Sequence, residues 1–211
     1  MSQPSAPRLL VLHGLRLKGV VEAPVLAQAV ELATPDVEAR LCELEAEGFV
    51  ARHTGALTGW SLTPAGRAEH ARLVEAEVAA TDTRATVARA YDRFRALNAG
   101  VLEACSRWQV REVAGQAVRN DHGDAGYDAR VVADLARLQH RADPLCNDLA
   151  AALDRYRPYG PQLRHALERV ESGDGDWFTK PMMPSYHTVW FELHEDLLTT
   201  LGLDRTTEPV P

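Results

Sequence analysis

At 211 residues, 45% hydrophobic and a formal net charge of −7, the chain can bury a real core and has room for one or two domains. It has no run of 18 apolar residues and no charged-then-apolar leader, so neither a membrane span nor a signal peptide is expected, and a cytoplasmic protein is. The acidic balance withholds the basic footprint usual for nucleic-acid partners, and Cys42, Cys105 and Cys146, far apart and without CxxC spacing, read as reduced packing thiols rather than a disulfide framework. In chain order, residues 7–18 place Leu9, Val11, Leu12 and Leu15 at helical spacing and Gly19 ends that helix. Residues 23–30, with Val25, Leu26 and Ala29, read as a short second helix.

The stretch 34–66 is the most strongly specified part of the chain. Thr34 stands where an N-cap belongs, Pro35 at the first helical position and Asp36 near the positive end of the helix dipole. Val37, Leu41 and Leu44 make one apolar face, and Gly48 supplies a left-handed C-terminal residue. Residues 49–52 and 59–62 read as strands around the Gly-containing loop 53–58, an antiparallel hairpin. Thr63 then caps a new helix with Pro64 at its first position.

Helix, glycine, strand, short loop, a strand ending in Leu-Thr-Pro-x-Gly, helix: this order, carried by Leu41, Leu44, Gly48, Phe49, Val50, Trp60, Leu62, Thr63, Pro64 and Gly66, resembles the winged-helix domain of MarR-like and PadR-like transcriptional regulators. The resemblance covers roughly residues 8 to 75. It implies three helices and a β-hairpin wing, with helix 35–47 presented to the major groove of double-stranded DNA and a homodimer as the working form. Arg16, Lys18, Arg40, Arg52 and His53 are the expected phosphate contacts, with Glu43 available to accept from a cytosine. Against this, the outer positions of helix 35–47 hold one cation, Arg40, and five acids, Asp36, Glu38, Glu43, Glu45 and Glu47. Acids beside phosphates subtract from the electrostatic term that supplies most DNA affinity, so a monomer is expected to bind weakly and a protein-docking module is the alternative.

Beyond Pro64 the chain reads as helix at 65–80 and at 84–110, with a handover at Thr81-Asp82 and a break at Asn98-Ala-Gly100. The domain boundary is placed there, 1–80 and 81–211, without a flexible linker. Residues 112–126 read as a loop, 127–142 as a helix, and Asp143-Pro144 as the start of another through Leu145, Leu149 and Leu153. Turns at 156–161 and 171–176 flank a helix opened by Pro161, and a last helix runs from Ser185 to Leu201, stopped by Gly202. Residues after Asp204, rich in polar residues and proline, are expected to fray. No strand pattern is read after residue 62. The expected fold is mainly α: an N-terminal winged helix-turn-helix, then an all-α bundle of five or six helices.

The last helix carries the most distinctive wording. Tyr186, Val189, Trp190, Leu193, Leu197 and Leu201 form a core stripe, and His187, Phe191, His194 and Leu198 line the adjacent face. Histidines seven apart lie about two turns apart, too far to chelate one ion by themselves. A buried helix with satisfied histidines is the plain reading. If the loop bearing Asp121 and His122 folds over that helix, Asp121, His122, His187, Trp190 and His194 could wall an effector pocket, by analogy with the sensing domains of GntR-family repressors. The wording of 187–198 is also similar to actinobacterial proteins associated with pyruvate phosphate dikinase-type enzymes. No GxSxG, Gly-rich phosphate loop, CxxC or HExxH occurs, so no catalysis, cofactor or metal is expected. Two functions follow: a DNA-binding regulator, homodimeric, whose helical part dimerises or senses a small-molecule effector; or a winged-helix adaptor for a protein partner such as a dikinase-type enzyme.

Overall fold

The computed structural model describes residues 2–55 and 57–203. Ala56, in the expected hairpin loop, and the expected frayed tail from 204 lie outside the described residues. The protein is mainly helical. Three helices, α1 (Pro7–Lys18), α2 (Ala23–Ala29) and α3 (Thr34–Ala46), lead into the antiparallel pair β1 (Val50–His53) and β2 (Gly59–Leu62) and then α4 (Pro64–Thr81). Leu12, Leu15, Leu26, Val37, Leu41, Leu44, Val50 and Leu62 close one core among these elements. Each such side chain contributes roughly 1.5–3 kcal/mol by leaving water.

Helix α3 begins one residue earlier than its capping residues suggest. Ala33 is the cap, Thr34 already helical and Pro35 in the second position. The Ala33 carbonyl accepts from Asp36 and Val37, and Thr34, inside the first turn, makes no side-chain cap bond. At the next helix the expectation holds: Thr63 Oγ1 accepts from Gly66 N at 3.0 Å. Gly66 is required there, because a Cβ would sit 1.8 Å from the Phe49 carbonyl oxygen.

The second half is built on two long antiparallel neighbours, α5 (Arg84–Gln109) and α6 (Ala125–Ala152), covered by α7 (Tyr159–Glu171), the short α8 (Asp176–Thr179) and α9 (Tyr186–Leu201). Helix α5 is unbroken. Asn98 turns its side chain to Trp190, accepting from Nε1 at 3.0 Å, and Gly100 lets α6 approach so closely that a Cβ would stand 3.1 Å from Leu138. Both residues, read as helix breakers, serve packing. Helix α6 likewise runs through Pro144. The missing N–H costs about 3 kcal/mol or more, and burial of Ala142, Leu145, Cys146 and Leu149 around it offsets that loss.

The expected loop at 112–126 is half strand. Residues β3 (Val110–Val113) and β4 (Gln116–Arg119) pair antiparallel around Ala114 and Gly115, whose φ values of 52° and 79° make the left-handed two-residue turn that hairpins favour. The ribbon is exposed along nearly its whole length, so no buried face imprints an alternating pattern on its sequence. No helix among the described residues is long and apolar enough to cross a membrane.

Candidate functional site

The outer face of α3 is acidic and its one cation is spent locally. Asp36, Glu38, Glu43, Glu45 and Glu47 are exposed, Arg40 donates to Glu43 at 2.5 Å, and Arg8 of α1 makes two 2.8 Å bonds to Glu47, holding that carboxyl below its usual range. On the hairpin, Arg52 lies 5.7 Å over the Trp60 ring and His53 Nε2 is 2.7 Å from Ser61 Oγ. Arg16 and Lys18 do not join them. Lys18 donates to Glu192 at 2.6 Å and Arg16 lies 3.6 Å from Glu195, both acids of α9. Their register on α1 points them at the bundle, which a one-helix reading of the sequence cannot foresee. The six residues expected to meet DNA thus split into two turned to α9 and four on α3 and the hairpin.

The five residues expected to wall an effector pocket are also divided. Trp190 is buried, stacked 4.4 Å from Phe94, and His194 packs 4.8 Å from the same ring. His187 is half-buried, and desolvation lowers its pKa. Asp121 and His122 belong to the far end of α5. Asp121 accepts from Gly123 N at 3.1 Å and from Arg111 at 3.0 Å, which lower its pKa in that order. His122 Nδ1 is 3.0 Å from Asp128, with its ring 4.5 Å from Trp108. Trp108 is ten residues along α5 from Asn98, the partner of Trp190, and at 1.5 Å per residue the two places are about 15 Å apart. Asn120 fixes the loop there: its amide donates to the Trp108 carbonyl at 3.1 Å and to Asp128 at 2.8 Å. The cap of the plain reading is Asp124, whose Oδ1 accepts from Tyr127 N at 2.9 Å at the start of α6. Among the described residues no three His, Cys, Asp or Glu side chains gather as metal ligands.

A buried charged network between the two halves escaped the sequence reading. His13 of α1 lies 3.0 Å from His70 of α4 through Nδ1 and 3.0 Å from Asp196 of α9 through Nε2. Asp196 also accepts from Tyr159 at 3.0 Å and from Arg155. Arg155 donates further to Glu77 at 3.0 Å and Thr200 at 2.7 Å, its guanidinium 4.6 Å over the Tyr156 ring. Burial alone would raise the Asp196 pKa, yet the charges of Arg155 and His13 hold it well below the usual carboxylate range. Burial opposes charge on Arg155 too, and Asp196 and Glu77 outweigh it. Burial, then repulsion from His13, depress the His70 pKa to about 3 against the weaker pull of Asp196, so it is neutral at pH 7. One signal was available, since Asp196 and Thr200 fall at i+3 and i+7 from Leu193 on the buried arc of α9.

Beside this network lies a cleft of about 750 Å³ between α1 and α2 on one side and α7, α9 and residues 182–184 on the other. His13, Arg155 and Tyr159 reach its lining from below. A second, more open depression of about 1340 Å³ runs past Trp108, His122 and Asp128 to Asp174 and Lys180. The chain matches no family model, no curated protein and no solved structure.

Proposed function

We propose that the N-terminal unit is a winged-helix docking module whose acidic third helix receives a Lys/Arg-rich surface of a protein partner, with the helical bundle as its rigid base. The carrying observation is the solvent face of α3: five exposed acids and one arginine already bonded to its neighbour glutamate. Such a face repels phosphates and complements a basic surface. Its cations cannot be supplemented from α1, because Lys18 and Arg16 face Glu192 and Glu195.

The element order favours a second reading. A hairpin bearing Arg52 and His53 directly after a solvent-facing third helix is the arrangement of a DNA-binding regulator, in which a homodimer would bring two wings to double-stranded DNA. One experiment separates the two. The docking reading expects no gel shift of genomic fragments at about 50 mM salt, and a protein complex that the double reversal Glu38→Lys/Glu45→Lys abolishes and a matching charge reversal on the partner restores. A saturable shift by the wild type that weakens steeply with salt and with Arg52→Ala overturns docking in favour of the regulator.

A further inference from the structure

We propose that the cleft between α1/α2 and α7/α9 is a binding site for a small organic acid with an apolar body. Its volume, about 750 Å³, lies in the range of sites that enclose one small molecule, roughly 300–1,000 Å³, and such sites favour the seam between two packed units. The walls are largely apolar, with Leu10, Leu17, Val25, Val30, Met183 and Phe191 among them. The rim leaves apolar surface in water that neither half covers: Val25 is 53% exposed, Phe191 43% and Met182 100%. Met182 is also held at φ 63°, and Glu31, across the cleft, at φ 53°. Left-handed backbone at a non-glycine residue is costly and concentrates where ligands bind.

The polar groups decide the chemistry. The cleft's other basic groups are engaged: Lys18 with Glu192 at 2.6 Å, Arg155 with Glu77, Asp196 and Thr200, and His13 with His70 and Asp196. Arg157 is the uncommitted cation, its side chain 63% exposed and its Asp154 contact 3.8 Å long. Ser5 Oγ, buried in the lining, has no hydrogen-bond partner among the described residues. Both residues line the cleft, and the pairing of Gln3 with Leu153 and Asp154 sets the segment that leads into Ser5 beside the turn that carries Arg157. A guanidinium and a hydroxyl donor at one end of an apolar slot suit a carboxylate at one end of a hydrocarbon.

The test is calorimetric titration of the full chain with decanoate and with decanol, without DNA or protein partner, so its outcome is independent of what the acidic helix binds. Saturable decanoate binding, several-fold tighter than decanol, is expected. Val25→Trp, which fills the rim from an exposed position, should weaken both ligands at least tenfold. Arg157→Ala should bring decanoate down to the decanol affinity and leave decanol unchanged. Absence of saturable binding, equal affinity for acid and alcohol in the wild type, or full affinity in either variant overturns the proposal.

Discussion

Arg155 and Asp196, 2% and 0% exposed at their side chains, form a buried ion pair in the seam between α4 and α9. The pair ties four segments distant in sequence, since Arg155 also reaches Glu77 and Asp196 also meets His13. A buried charge pair is weak evidence for stability in itself, but breaking one partner leaves an uncompensated charge.

Asp196→Ala should therefore destabilise the whole chain by about 3–5 kcal/mol, while the double variant Arg155→Met/Asp196→Leu should cost clearly less than the two single changes together. Urea denaturation followed by circular dichroism reads both. A loss under about 1 kcal/mol in the single variant would mean that the seam is wet.

Acid should loosen the same seam in two steps. His70, depressed to about 3, stays neutral in the folded chain while its unfolded form, with a pKa near 6.5, takes up a proton below that pH. The unfolded state then binds more protons, so stability falls as pH drops from about 6.5, by roughly 2–3 kcal/mol at pH 4.5. Asp196, depressed in the folded state, adds stability that is whole above its unfolded pKa near 3.9 and is lost only below it. In His70→Gln, melting temperature measured between pH 4.5 and 6.5 should flatten relative to wild type. An unchanged slope removes His70 as the cause.

Two glycines of the N-terminal unit should respond differently to alanine. Gly66→Ala drives a Cβ into the Phe49 carbonyl and should cost about 3 kcal/mol, at the upper end of overpacking. Gly48→Ala meets nothing within 4 Å and bears only the left-handed φ of 80°, worth about 1–2 kcal/mol. Thermal melts that reverse this order would refute the close approach.

Arg16→Ala and Lys18→Ala should leave any DNA or protein binding by α3 and the hairpin within twofold of wild type, since these side chains serve α9, and each should cost stability by no more than about 1 kcal/mol. Fluorescence anisotropy with a labelled partner is sufficient to check it. A tenfold loss of binding in either variant would return those cations to the contact surface.

The run from Thr34 to Gly66 was readable, apart from the cap that falls on Ala33 instead of Thr34, because most of its determinants are local. The periodicity of Val37, Leu41 and Leu44 and the Thr63 cap act within a few positions, whereas the approach of Gly66 to Phe49 spans the hairpin. The last helix was readable for the same reason, with Ser185 capping it, Gly202 closing it and its stripe buried from Tyr186 to Leu197, Leu201 being half-buried at its end. Asn98, Gly100 and Pro144 misled because their local preferences, about 1 kcal/mol for the glycine and about 3 kcal/mol or more for the proline, are outweighed by packing between α5, α6 and α9. The acidity of α3 belonged to the sequence by itself. The direction of Arg16 and Lys18, the separation of His122 from Trp190, and the meeting of His13, His70, Arg155 and Asp196 were decided only in three dimensions. Each depends on which face of one helix a distant helix covers, and nothing in the chemistry of a single segment carries that information.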